Sequence, residues 1–339
     1  MGKIEMKRKI IKQGHNTLTI TLPIKWVNSF NLHPGDEINI AERDNGLFVS
    51  TEKMDNKSHT EIDISGLDIP SIWKYFMAVY REGYDEIKVS FNPEDKFDNP
   101  YKFITHHSYD KSYTNQKETV SAVELIRLIT GRFIGFEVIE HKSNYCIIKD
   151  MTDISSREFD NSLRRVFLII QQMGVELLEA VDTNSVKILE HTHDTDINLD
   201  KFHDYCIRVL NKTAFKDMKK TSLLFSVLYI LELIGDEFKN ISNHLIKDFQ
   251  VKEFKNLKQL TKLVIEQLDR FYEFYSKFSR EKLKELSESD TELYFFLPKL
   301  YKKSSKTSLK SDELEIFHHL RKIVEYVNAL TELRVEMEF

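Results

Sequence analysis

The 339-residue chain is poor in cysteine: Cys146 and Cys206 are its only two, far apart and each inside an apolar pattern. No CxxC and no Cys/His spacing occurs, which excludes a disulfide framework and a zinc ribbon and fits a reducing cytoplasm. Breakers are scarce too. There are ten glycines and six prolines, and five of the prolines fall before residue 101, so the remainder is expected to be nearly all helix. Neither a Gly-rich phosphate loop nor a nucleophile elbow is present, and nothing pairs a nucleophile with a base, so an enzyme is not expected. Long apolar runs are missing as well. Residues 223–234 are interrupted by Glu232 and too short to cross a bilayer. The N-terminus is charged and strand-forming rather than a signal peptide. What remains is a chain 41% hydrophobic and 30% charged with a net charge of −5, which predicts a soluble protein of two or three domains.

Residues 7–51 are dense in signals. Residues 17–21 alternate, Leu18 and Ile20 on one face and Thr17, Thr19 and Thr21 on the other, as a half-buried strand does. Pro23 opens a short helix over 24–30, where its missing N–H costs nothing. His33-Pro34-Gly35-Asp36 reads as a tight turn. Residues 37–42 alternate with Ile38 and Ile40 inward, Asn45-Gly46 signals a hairpin, and 47–51 is the return strand. A unit of this size is marginal alone and wants a partner chain. Charge sets it apart too. Residues 1–26 carry Lys3, Lys7, Arg8, Lys9, Lys12 and Lys25 against Glu5, a net +5, so residues 27–339 sum to −10. A basic arm on an acidic protein is the footprint of phosphate-backbone contact.

Lys12-Gln13-Gly14 running into 17–23, then Trp26, then Leu32-His33-Pro34-Gly35-Asp36-Glu37-Ile38 resemble the AbrB/SpoVT/MazE family of swapped-hairpin domains. The resemblance implies a β-barrel closed by two interleaved chains, hence an obligatory homodimer, and binding of double-stranded DNA. Lys7, Arg8, Lys9, Lys12, His15, Asn16, Thr17 and Lys25 are the expected DNA contacts, within an arm spanning 1–53.

A polar linker is expected over 54–61, and a small α+β unit over 62–150. Asp68-Ile69-Pro70 caps a helix whose apolar face is Ile72, Trp73, Phe76, Met77 and Tyr80, and Gly83 ends it. A strand follows over 84–91, a loop or insertion over 92–117, a helix over 118–130 closed by Gly131, and strands over 133–139 and 145–149. Neighbouring histidines point differently on any regular element, so His106-His107 in the insertion is not read as a metal site.

From 154 to 339 the apolar period is helical: Phe159, Leu163, Val166, Phe167, Ile170, Met173, Leu177. Further helices are expected over 199–215, 223–246, 257–286, 293–301 and 314–337. Three helices, a gap and three helices suggest two three-helix bundles, 154–248 and 254–339. The fold expected for the whole is thus α+β and multidomain, with an all-α C-terminal body. Glu232, Asp236 and Asn240 stand at i, i+4, i+8, as do Asp196, Asp200 and Asp204, with His203 beside the last. Each series shares a helix face. Stacked carboxylates repel, so the fold wants a cation near them. Oxygen ligands from two packed helices suit a metal, with His203 joining for a transition metal; acidic i, i+4 pairs are common, however, and from spacing alone solvated helix faces are the favoured reading.

Glu232-Leu233-Ile234-Gly235-Asp236 followed by Asn240-Ile241, and Asp196, Asp200 and Arg208, resemble the PhoU family of phosphate-uptake regulators. Gly83-Tyr84-Asp85 and Gly135-Phe136-Glu137 are similar to archaeal members that join an AbrB-like arm to a PhoU body. The resemblance implies metal ions such as iron, zinc or manganese at Asp196, Asp200, His203, Asp204, Glu232 and Asp236. It also implies regulation of phosphate handling, with phosphate-transporter components as partners. Leu233 stands where the family has Arg. In the second repeat Arg321 replaces the first acid, leaving a poorer set in His318, Glu325 and Glu332. Two functions follow: a dimeric DNA-binding regulator of phosphate uptake, or a transporter adaptor whose arm only dimerises. The folded body argues against a short MazE-type antitoxin.

Overall fold

A computed structural model describes residues 7–14, 17–43, 46–51, 58–98, 119–152, 156–213, 218–247, 257–304 and 311–339. The chain divides into two compact units, residues 1–56 and 57–339.

In the first unit β1 (Ile11–Gln13) and β2 (Thr17–Thr19) pair antiparallel, with Gln13 opposite Thr17. Pro23 is the N-cap of α1 (Ile24–Ser29), which starts where expected and ends one residue earlier. The turn behaves as predicted: Gly35 has φ 105°, and Asp36 accepts from the His33 N–H at 2.7 Å. β3 (Asn39–Arg43) and β4 (Gly46–Ser50) form the second hairpin. The two hairpins are separate two-stranded sheets, so no barrel closes among the described residues of one chain. No described side chain of this unit is buried. Leu18 is 67% exposed and Ile40 61%, although alternation predicted both to face inward. The pattern is right, but a single chain supplies nothing for those faces to pack against.

The second unit opens with β5 (His59–Asp63), which begins inside the stretch expected as a linker, 54–61. It pairs parallel with β6 (Glu86–Ser90) across α2 (Ile69–Glu82). Asp68 caps α2 by accepting from the Ser71 N–H, and Gly83 closes it in the left-handed conformation at φ 101°. β7 (Lys96–Asp98) pairs with β8 (Thr119–Ser121), so 96–98 are a strand where a loop was expected, and His106-His107 lie outside the described residues. α3 (Ala122–Thr130) starts after a Ser121/Glu124 capping box, four residues later than expected. β9 (Phe136–His141) and β10 (Tyr145–Asp150) complete a sheet of order β5-β6-β10-β9. Ile72, Phe76, Tyr80, Leu125, Ile126 and Ile129 from the helices pack with Ile62, Ile87, Val89, Cys146 and Ile148 from the strands.

The helical body comprises α4 (Ser156–Thr183), α5 (Val186–Thr213), α6 (Met218–Lys247), α7 (Leu257–Ser276), α8 (Arg280–Ser304) and α9 (Ser311–Glu336). α5 starts thirteen residues before the expected 199. The helix expected over 257–286 breaks instead at 277–279, where the Ser279 hydroxyl accepts from the Lys282 N–H. The first triad packs as α4, α5 and α6. In the second, α9 contacts α6 more extensively than α8, and α4 also meets α7, so the two triads share one core rather than forming two independent bundles. A Cβ added at Gly235 would lie 2.0 Å from Leu199 Cδ2. Only a residue without a side chain lets α6 approach α5 so closely, and that approach brings the two acidic series together.

Candidate functional site

Two sets of functional residues emerge, one in each unit. In the first, Lys7, Arg8, Lys9, Lys12, Thr17 and Lys25 are all exposed; His15 and Asn16 lie outside the described residues. Lys7 to Lys9 lead into β1. Lys12 lies within β1 and Thr17 opens β2, at the tip of the first hairpin, whose turn needs the φ of 76° at Gly14. A groove of about 690 Å³ lies in the same unit, lined by Ile20, Leu22, Trp26, Phe30 and Val49 and flanked by Arg8 and Lys25. One small unit thus combines an unpacked apolar surface with a cluster of mobile-stemmed cations, the two elements that dimerisation and phosphate contact require.

In the second unit the acids predicted from sequence meet where α5 packs on α6, and each series finds a cation. Lys239 Nζ bridges the helices, 2.8 Å from Asp196 Oδ2 and in contact with Asp236. Burial alone would lower the Lys239 ammonium pKa; the two carboxylates outweigh it and hold the group charged. Arg81, from the last turn of α2, reaches Asp204 Oδ1 with Nη2 at 2.6 Å and Nε at 2.8 Å. Arg132, just past α3, stands 3.8 Å from Asp200 Oδ2. Five carboxylates therefore face three side-chain cations. Burial, followed by Asp196 and Asp204, pushes the Asp200 carboxyl well above its ordinary range. Burial and then Asp236 raise Glu232.

His203 is 1% exposed. Its Nδ1 lies 3.3 Å from Asp204 Oδ1 and its ring meets Tyr229 edge-on. The ring therefore packs against Tyr229 of α6, and its Nε2 is buried without a hydrogen-bond partner among the described residues. Glu232 likewise has no hydrogen-bond or ion-pair partner among the described residues. Carboxylates in excess with one orphaned imidazole nitrogen suit a divalent transition metal by ligand type. The geometry is not preassembled: among the described residues, no three His, Cys, Asp or Glu side chains converge as a ligand set. A metal would have to draw these carboxylates away from Lys239, Arg81 and Arg132.

Arg208, grouped with the acids by sequence, does other work. It is fully buried and donates to Tyr80 O, Tyr84 O and Asp150 Oδ2 at 2.7, 2.7 and 2.6 Å, beside the rings of Tyr80 and Phe136, which meet each other edge-on. It fastens α5 to the α+β unit.

The poorer set predicted on α9 is not brought together. His318, Glu325 and Glu332 are seven residues apart, about 10.5 Å per step along a helix, too far to share an ion bound at about 2 Å. Glu325 pairs with Arg321 at 3.1 Å, and Glu332 is exposed. The neighbouring His319 instead contacts Glu237 of α6, whose other oxygen lies 3.1 Å from Lys322 Nζ; His244 stacks 5.4 Å from His319. Burial would raise the Glu237 pKa, but the hydrogen bonds from His319 and Lys322 outweigh it and hold the carboxyl below its ordinary range. Sequence carried no signal for this pairing, since its halves lie 82 residues apart.

No helix among the described residues is long and apolar enough to cross a membrane. No curated protein matches the chain. Residues 11–57 match the family described as "Antidote-toxin recognition MazE, bacterial antitoxin", so the first unit carries a MazE/AbrB-like domain.

Proposed function

We propose that the chain is a dimeric, DNA-binding regulator without catalytic activity, whose helical body responds to phosphate status or contacts a phosphate transporter. The observation that carries the DNA reading is the first unit: a MazE-like cassette with no buried side chain among its described residues and a cluster of exposed cations. A second copy covering Leu18, Ile20, Ile40 and the apolar groove closes the swapped-hairpin barrel and doubles the set of Lys7, Arg8, Lys9, Lys12, Thr17 and Lys25. The role in phosphate handling rests on the resemblance of the 232–241 run to PhoU regulators. A folded helical body, where an antitoxin needs only a short tail, favours a regulator over an antitoxin.

A divalent metal, iron, zinc or manganese, belongs to this reading at Asp196, Asp200, His203, Asp204, Glu232 and Asp236. It would supply positive charge joining α5 to α6. Elemental analysis of purified protein checks it, with Asp200→Ala and Glu232→Ala as controls. For DNA, fluorescence anisotropy with duplex from the gene's own upstream region compares wild type with a variant changing Lys7, Arg8, Lys9 and Lys12 to Ala. Binding that disappears in the variant supports the regulator. No binding by wild type at low salt leaves an adaptor whose arm only dimerises.

A further inference from the structure

α8 changes character along its length. Its first half is held by the core: Leu286 and Leu293 are buried, Phe296 packs partly against the same cluster, and Arg270 Nη1 of α7 donates to the Ser289 hydroxyl at 2.8 Å. Where that packing ends, the outward positions turn aromatic. Tyr294 is 71% exposed and Phe295 60%, and their rings meet each other edge-on at 5.6 Å. The charge changes at the same point. Acids are frequent in α8 up to Glu292, and none follows until Asp312. Lys299, Lys302, Lys303, Lys306 and Lys310 give residues 293–311 a net charge of +5 in a chain of net −5. On the helix, Lys299 and Lys302 stand four and seven residues after Phe295, in register with its face.

We propose that residues 294–303 of α8 dock the helical body on an anionic lipid surface. The exposed aromatic pair enters the headgroup layer, and Lys299, Lys302 and Lys303 engage lipid phosphates. The contact lies in the interface and does not cross the bilayer, since no helix among the described residues is long and apolar enough to do so. The pairing of rings with lysines selects this partner. Lysines alone would accept any polyanion, duplex DNA included, but a duplex backbone leaves Phe295 in water. A bilayer interface takes both: aromatic rings at headgroup level, and lysine stems along apolar surface with the ammonium in water. Near a surface rich in anionic lipid each lysine is worth roughly fivefold in affinity, so the three together are worth about a hundredfold. The proposal is independent of the metal and phosphate readings.

The test sediments the full chain with vesicles of phosphatidylcholine and with vesicles of phosphatidylcholine mixed with phosphatidylglycerol. Binding is expected to the mixed vesicles alone, and to weaken as salt is raised. Lys299→Gln, Lys302→Gln and Lys303→Gln combined should weaken it by at least about tenfold. Phe295→Ser, at an exposed position that leaves the core untouched, should weaken it by about fivefold while the salt dependence persists. A variant changing Lys7, Arg8, Lys9 and Lys12 to Ala should bind the vesicles as wild type does, which separates α8 from the basic arm. Wild type that ignores the mixed vesicles, a triple variant that binds them as wild type does, or loss of binding in the arm variant overturns the proposal. A triple variant that keeps vesicle binding but loses binding to duplex DNA overturns it too, and makes the stretch a nucleic-acid contact.

Discussion

Replacing Arg208 with Met tests how the α+β unit is fastened to the helical body. Methionine roughly fills the space, so little cavity is made; the loss is in charge and hydrogen bonding. Three charge-assisted bonds disappear, and so does the stacking of the guanidinium against Tyr80 and Phe136, whose centroids lie 4.9 and 4.7 Å away. Breaking a buried ion pair from one side costs about 3–5 kcal/mol, because the other charge is left behind. Asp150 is not wholly stranded. It keeps Lys212 at 3.1 Å and the Thr152 N–H and hydroxyl at 3.0 and 2.6 Å. The lower end, about 3 kcal/mol, is expected, or about 6–12 °C in melting temperature at 2–4 °C per kcal/mol. Urea unfolding followed by Trp73 fluorescence, in a Trp26→Phe background, reports on the α+β unit, where Trp73 stacks on Phe133. Adding Asp150→Asn to Arg208→Met should cost less than the sum of the single losses. A loss under about 1 kcal/mol, or strict additivity, would refute the reasoning.

Glu237→Gln removes the negative charge joining α6 to His319 and Lys322 of α9, and turns one of its two acceptor oxygens into a donor, and should cost about 2 kcal/mol at pH 7. Because the folded Glu237 pKa lies below its ordinary value, the stabilisation is full above about pH 4.3 and fades as pH falls through the folded value. The wild-type advantage over Glu237→Gln should therefore vanish in acid unfolding curves; an advantage that persists there contradicts the pairing. Asp290 behaves oppositely: burial raises its pKa to about 6, and its Oδ1 has no partner. Its charge is a cost present above about pH 6 and absent below about pH 4, so Asp290→Asn should gain about 1–2 kcal/mol at pH 7.5 and nothing at pH 4. Thermal melts at the two pH values decide it, and equal effects at both would sink the assignment. Ile40→Glu places a charge on the exposed apolar face of the first unit; sedimentation should show a monomer whose helical body melts as in wild type, and a retained dimer would move the interface elsewhere.

The elements that sequence anticipated well are those with local causes. Asp68 marks a helix start through its side-chain cap and Gly83 a helix end through its left-handed backbone, and the Pro34-Gly35-Asp36 turn needs no distant partner. The helix break at 277–279 escaped because Leu283 and Leu286 continue the apolar period of the preceding helix, leaving only the Ser279 cap to mark it. The early start of α5 was hidden because its buried positions include Thr192, Thr195 and Asp196, which carry no hydrophobic period. In the cluster, the acids were legible from i, i+4 spacing, and Lys239 stands three residues after Asp236. Arg81 and Arg132 were not legible: they reach α5 from elements far earlier in the chain, so only tertiary packing joins them to Asp204 and Asp200.

The most direct test of a DNA-binding dimer is the salt dependence of its affinity for duplex from its own upstream region. Two arms present Lys7, Arg8, Lys9 and Lys12 twice. With about 0.9 counterion released per neutralised phosphate, a plot of log K against log salt should fall with a slope of about −4 to −7. Changing those four residues to Ala should abolish both the slope and the binding. An undetectable affinity for DNA at low salt, or a slope unchanged in the variant, would contradict the account.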